Sequence, residues 1–565
     1  MASADLVFRN ATIHTMDDDR PLASALAISD GMILAVGDDS DLVEYIGTDT
    51  EIVDLRGSAV LPGLIDAHNH HHLAGEEDLF RVSFSPTASI DAICAAVHEW
   101  IVTQGLGPGQ WVLGGNWGST LVAELSEAHA LAKLDAAAPE NPVLLSDDSH
   151  HNRWVNSAAL QAVGIDSSSP DPEGGRIVRD GRGALTGLLF ETAAGAFEQR
   201  VLQDEGVDIR RLAQSSERAL EMMHGYGITA FQDASTSHEL LQALHLLSGE
   251  GRLTSWVVSS MLVNDTILGN QNVGAALLPL GERYRSHRHR PDFTKIFLDG
   301  VPPTHTAALL QPYPHTEEHG SEHTGQPVMT FDELERWLRL VDGYGLGVKV
   351  HCTGDASVRL VLDAVEAVRR DGLGLVVQIA HGQLIHPDDI PRFAALGVVA
   401  EISPFLWYPG VIPQALQEVL PPALAARIHP NRDLLDAGAL LVAGSDWPVS
   451  ESPNPWHAIF GLVTRKDPTR VFDGSLWPEQ RIDVREAICA FTRSSATALG
   501  LADTTGRIRA GLSADFVILS ADPLAVDSEA LKDIVAEQTW FAGEKVYDRS
   551  LPSADSAHAS PRSTR

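Results

Sequence analysis

Cysteine is scarce. The 565 residues hold three, Cys94, Cys352 and Cys489. An odd, widely spaced set cannot staple a small secreted fold, so a reducing cytoplasm is the expected home. Long apolar runs are also missing: no stretch reaches the ~18 residues that suggest a membrane-crossing helix. Residues 1–9 lack the basic-then-apolar layout of an export signal. Positive charge is the third shortage. Lys and Arg number 41 against 76 Asp and Glu, a net charge of −35. Contacts to nucleic-acid phosphates or to an anionic membrane need clustered Lys and Arg, so neither is an expected partner. A Gly-x-Ser-x-Gly elbow and a P-loop signature are both absent. What is present is ordinary globular composition, 44% hydrophobic and 21% charged, with chain enough for a large buried core.

Short strands with turns fill residues 4–58, including an Asp30-Gly31 hairpin signal between two apolar runs. The C-terminal stretch looks alike, with one strand in residues 514–519 and a turned pair in 539–547. One small β-sandwich built from both termini, residues 1–58 with 505–548, is the expectation. Residues 549–565 are rich in Ser, Pro and Ala and are expected to be disordered. The middle, 59–504, alternates strands and helices. Eight apolar strands end in polar residues, at 59–68, 227–233, 254–260, 293–299, 347–351, 375–381, 398–403 and 440–446. Helical patterns lie between them, as in 331–344, 356–370 and 387–396. That is the arithmetic of an α/β fold, a (β/α)₈ TIM barrel. The gap after the first strand is too long for one crossover and predicts an inserted α/β subdomain over 75–220.

In such a barrel the chemistry sits at the C-terminal strand ends. Here those ends carry His68, His70, Lys295, His351, His381 and Asp446. Alternation along an extended chain puts His68 and His70 on one face, where both can reach one ion. Imidazoles and a carboxylate converging in this way suit Zn²⁺, one or two ions per chain, with other divalent metals compatible. The cation lowers the pKa of its bound water towards neutrality. Held as hydroxide, that water attacks a carbonyl carbon, and Asp446 is the candidate to shuttle its proton to the leaving group.

The ordered segments LPGLIDAHNH (61–70), FTKIFLDG (293–300), VHCTGD (350–355), IAHGQLI (379–385), AGSDWPV (443–449) and GLSADFVIL (511–519) together resemble the amidohydrolase superfamily of metal-dependent hydrolases. They are similar in particular to its branch containing N-substituted formamide deformylase. The resemblance spans roughly residues 5–548. It implies a carbamylated Lys295 as a metal ligand, with His68, His70, His351, His381 and Asp446 completing the set. Residues 154–160 resemble that branch's insertion and imply His151 as a pocket histidine. Trp117, in GGNWG, is taken with it as a substrate-binding candidate, core packing being the equal alternative. Two positions depart from the branch pattern. His150 stands where Gly is common before the pocket histidine, and His305 where Arg is common before Thr306-Ala307.

The expected activity is hydrolysis of a C–N bond, amide or formamide in type, in a small N-acyl or N-formyl compound. Ester, lactone or phosphoester hydrolysis on the same metals is the alternative, and a non-enzymatic scaffold is the third. A small-molecule substrate is the expected partner, and a homodimer is compatible with the fold. Four further readings are plain ones. Lys295 could instead pair with Asp299; Asp233 could hold a ligand histidine; residues 287–290 read as a solvated loop; His315, His319 and His323 read as a mobile polar loop.

Overall fold

The computed structural model of the chain describes residues 3–85, 87–118, 121–147, 152–172, 175–205, 208–265, 272–317 and 319–551. It divides into two compact units, residues 1–71 with 219–565, and residues 72–218.

In the first unit eight strands form one sheet in chain order. They are β1 (Leu64–Asn69), β2 (Ile228–Thr236), β3 (Trp256–Leu262), β4 (His289–Phe297), β5 (Gly347–Cys352), β6 (Val377–His381), β7 (Val398–Ile402) and β8 (Leu441–Ala443). Every pairing is parallel. A bridge between Asn69 and Trp447 brings the exit of β8 back to β1 and closes the barrel. Both faces of such strands are covered, which is why they read as apolar runs rather than as alternation. The helices between them keep one apolar stripe. In Asp355–Arg370 the buried Val358, Val361, Leu362, Val365 and Val368 follow the helical period, and Arg369 and Arg370 sit in the last turn, where the helix dipole favours cations. Phe331–Gly343 starts from a capping box of Thr330 and Glu333.

The first strand differs from its expected span of 59–68. Ala59–Pro62 pairs antiparallel with Phe516–Leu519 in the sandwich, and only Leu64–Asn69 belongs to the barrel. The switch falls at Gly63, where a Cβ would lie 2.0 Å from Thr229 Oγ1. The sandwich therefore takes residues up to 62. Its two sheets hold Leu6–Arg9, Ala25–Ser29, Met32–Gly37 and Glu51–Asp54 on one side, and Thr12–His14, Leu22–Ala23, Ala59–Pro62, Phe516–Leu519, Ala536–Phe541 and Glu544–Asp548 on the other. Phe8 packs edge-on against Phe516 and Trp540 at 5.2 and 5.1 Å, so the two ends of the chain share one core. Asp30 and Gly31 both take left-handed φ, 50° and 73°, as a two-residue hairpin turn requires.

The second unit has its own six-stranded sheet, ordered Gly175–Arg179, Leu185–Glu191, Asn152–Val155, Val143–Asp147, Val112–Trp117, Val82–Ser83. The last three strands pair parallel and the rest antiparallel. Helices Ile90–Gln104 and Ala128–Ala137 share a core with this sheet through Ile93, Val97, Leu134 and Leu145. Residues 552–565, most of the expected tail, lie outside the described residues. Among the described residues no helix is long and apolar enough to cross a membrane.

Candidate metal centre

β1 delivers His68 at its end, with His70 just beyond. Asp66, buried beneath them, accepts from the backbone N–H of His68 and Ser445, from Ser445 Oγ and from Asn69 Nδ2. It thereby ties β1 to the segment after β8. Burial pushes the Asp66 carboxyl up, and those donors work against the rise. Asp446 N–H donates to His68 O at 2.7 Å. The approach is so close that a Cβ on Gly444 would lie 2.5 Å from His68 N. Asp446 and His381 both hold left-handed φ, 54° and 75°. That conformation is costly for residues other than glycine, and it concentrates at functional sites.

The site is a set of aimed lone pairs. His68 Nδ1–H donates to the Glu401 carboxylate at 2.6 Å, so its Nε2 carries the lone pair. His381 Nδ1–H donates to Ser403 O at 3.1 Å, leaving Nε2. His351 Nε2–H donates to Gly300 O at 3.1 Å, leaving Nδ1. His70 Nδ1 meets Ser235 Oγ at 2.7 Å, and its Nε2 lies 3.2 Å from Asp446 Oδ1. His68 Nε2 lies 3.3 Å from the same oxygen. Donor atoms of His68, His70 and Asp446 all fall within 4.8 Å of one another. The His381 ring sits 4.9 Å from that of His68 and 4.5 Å from that of His351.

Burial holds three of these imidazoles, His70, His351 and His381, neutral. It pushes His70 below its ordinary value, His351 down to about 3, and His381 well down with help from neighbouring His351. Burial alone would raise Asp446, but positive charge facing it where the His68 and His70 rings converge holds it well below the usual carboxylate range, a charge that a cation supplies when those rings are neutral. A metal ion fits this set. His68 Nε2 and His381 Nε2 are buried without a hydrogen-bond partner. An imidazole lone pair and a carboxylate facing each other at 3.3 Å repel unless a cation lies between them. Neutral imidazoles and a carboxylate are also ordinary ligands of divalent metals.

Lys295 lies in β4, 1% exposed. Its Nζ sits 4.9 Å from the centre of the Phe297 ring, and it pairs in register with Lys349 of β5. Burial, then the Lys349 charge, pushes its amine down to about 8. The alternative pairing with Asp299 does not form. Asp299 is taken by the backbone N–H groups of Ala308, Thr353 and Gly354, and shapes the turn beside His351 instead.

Trp117 is a correction. It is 0% exposed in the core of the second unit, and its indole N–H donates to Leu145 O. With no accessible surface it packs a core and lines no pocket. His151, with neighbouring His150, lies outside the described residues. Asp233 bonds His71 Nδ1 at 2.9 Å, one residue past the H-x-H pair. The 287–290 stretch is no loop throughout, because β4 begins at His289. That ring is fully buried, between Tyr284 O and Ser259 Oγ. The loop after β4 stacks His319 on His323 at 4.4 Å and sets His305 beside Tyr313 at 4.9 Å, a packed arrangement rather than a free loop. Sequence reasoning missed Glu401 and Lys349, an ion pair behind His68. Both are charges inside apolar strands, and Lys349 stands two residues before His351, on the same face by alternation.

The family model for the amidohydrolase family matches residues 51–547. The chain belongs to the amidohydrolase family. Protein LONG AFTER FAR-RED 3 of Arabidopsis thaliana is 31% identical over 96% of this chain and 92% of its own length. N-substituted formamide deformylase of Arthrobacter pascens is 27% identical over 97% and 99%. Among solved structures, an uncharacterized metal-dependent hydrolase from Pyrococcus furiosus superposes with a TM-score of 0.73 at 24% identity, covering 92% of this chain and 99% of that one. The barrel fold is thus shared, and the chain is a hydrolytic enzyme of that family.

Proposed function

We propose that this hydrolase cuts the C–N bond of a small N-acyl or N-formyl compound in the cytoplasm, with zinc held by His68, His70, His351, His381 and Asp446. The observation that carries the reading is the set of imidazoles whose outer nitrogens are each engaged by protein, three of them by carbonyl or carboxylate acceptors that fix the tautomer. A divalent cation bound there supplies Lewis acidity and acidifies water. Asp446 Oδ1 faces His68 and His70, and its second oxygen stays 3.9 Å from His381 Nδ1. That oxygen takes the proton from attacking water and returns it to the leaving nitrogen, the bond to carbon breaking as the N–H forms. Ionised Asp446 is the form this step needs. Lys295, as a carbamate, is the further ligand for a second ion. Its buried amine, pushed down to about 8, supplies the neutral nucleophile that CO₂ addition requires.

The substrate class rests on the formamide-cleaving relative. A panel of N-formyl amines, N-acyl amines, esters, lactones and phosphoesters tests it on zinc-loaded protein. Turnover led by formamides or simple amides supports the reading. Turnover confined to esters, lactones or phosphoesters refutes it. Labelled bicarbonate tests the lysine: a carbamate carbon resonance present in the wild type and missing from Lys295→Ala is expected.

A further inference from the structure

Behind His68 the barrel interior holds a chain of charge that spans three strands. Lys349 Nζ of β5 donates to Glu401 Oε2 of β7 at 3.1 Å, and the same oxygen accepts from His68 Nδ1 of β1 at 2.6 Å. A second N–H of Lys349 goes to Ala67 O at 2.8 Å, one residue before the histidine. All three side chains are fully buried. Glu401 Oε1 is also buried and makes no hydrogen bond.

A buried ion pair is a poor stabiliser, since desolvation consumes most of the attraction and an apolar pair of similar volume often does as well. Its contacts point to another role. We propose that Glu401 and Lys349 are positioning residues for the metal centre: the carboxylate sets the ring angle and tautomer of His68, and the ammonium clamps that carboxylate and the backbone of the ligand strand together. Neither touches the ion or the substrate. With Nδ1 protonated and held, His68 meets the ion through Nε2, with no alternative tautomer to repopulate. Lys349 also keeps the pair neutral, so the carboxylate is not left as a lone charge in the core. This inference rests on the metal-hydrolase reading above.

The test is the affinity of the full chain for Zn²⁺ alone, by competition with a chromophoric chelator. The circular dichroism spectrum and thermal midpoint of zinc-free protein serve as folding controls. Glu401→Gln is expected to lower zinc affinity about 10- to 100-fold. Because that change strands Lys349 as an unpaired buried charge, the deciding protein is Glu401→Gln/Lys349→Met. It is expected to fold and still bind zinc about 10- to 100-fold more weakly. A double variant that folds and binds like the wild type overturns the proposal, for the pair then only fills the core. A second measurement needs neither the Glu401 nor the Lys349 variant. Imidazole nitrogen NMR shifts of zinc-free wild type, with His68 assigned through His68→Asn, are expected to show a protonated Nδ1 and a bare Nε2; the reverse tautomer overturns the proposal. Failure of the underlying reading looks different: wild type and His70→Ala would both take up no zinc, and the positioning role would fall with it.

Discussion

His289 is a buried neutral imidazole far from the strand ends that carry the metal centre, and its titration makes stability depend on pH in a calculable way. Its ring is enclosed by Tyr284 O and Ser259 Oγ, and burial pushes its pKa from 6.5 to about 4. Between those two values the unfolded chain binds a proton that the folded chain does not. Stability from this group is therefore complete above about pH 7, falls as pH drops through 6.5, and stops falling below about 4. For those two pKa values the loss is about 0.8 kcal/mol at pH 6 and about 2 kcal/mol at pH 5. Against a total of ~5–15 kcal/mol for a typical domain, this is measurable. The perturbation is His289→Gln, whose amide keeps one donor and one acceptor and does not titrate. Urea unfolding of zinc-free wild type and variant at pH 8, 6 and 5 reads the difference, in which contributions from all other groups cancel. The wild type is expected to lose about 2 kcal/mol more than the variant between pH 8 and pH 5. Parallel pH profiles for the two proteins would refute the reasoning and mean that the ring takes up a proton without cost.

Asp446→Asn is expected to lower kcat by roughly 10²- to 10⁴-fold with the fold intact, since it removes the proton acceptor; turnover with circular dichroism checks both, and full activity refutes the proton role. Stripping metal with a chelator is expected to abolish turnover, and Zn²⁺ at 100 times its Kd is expected to restore it and stabilise the protein by about 2.7 kcal/mol; activity that survives stripping argues against a metal centre. Gly444→Ala places a Cβ 2.5 Å from His68 N, so the ligand strand must shift. The expected cost is about 1–3 kcal/mol, read in thermal unfolding, with weaker zinc retention than the wild type.

Much of the barrel was legible because its strands are covered on both faces and must be apolar throughout, so short runs ending in His or Asp stand out. The pairing of His68 and His70 on one face follows from the two-residue period of extended chain alone. Other features were not legible, for physical reasons. The first strand hid its switch at Gly63, because the apolar sandwich segment 59–62 runs straight into the apolar start of the barrel strand, Leu64 and Ile65, and only their different pairing partners separate them. Trp117 read as either pocket or core, because a tryptophan flanked by glycines fits both; burial under the helices of the second unit decided it. His289 read as solvated beside Arg288 and Arg290, because strand register, not composition, put its ring inside.

The residue types at the strand ends and their order along the chain set which ligands and which proton carrier this protein owns. Which nitrogen each histidine presents was settled only by the fold, because a tautomer is chosen by whatever lies opposite the other nitrogen. Glu401 and Ser403 O come from β7 and its exit, and Gly300 O from the segment after β4, all remote in sequence from the β1 histidine. Lys349 and Glu401 are likewise ordinary charges in their own segments and become a clamp on His68 only once the barrel closes and brings β1, β5 and β7 around one interior.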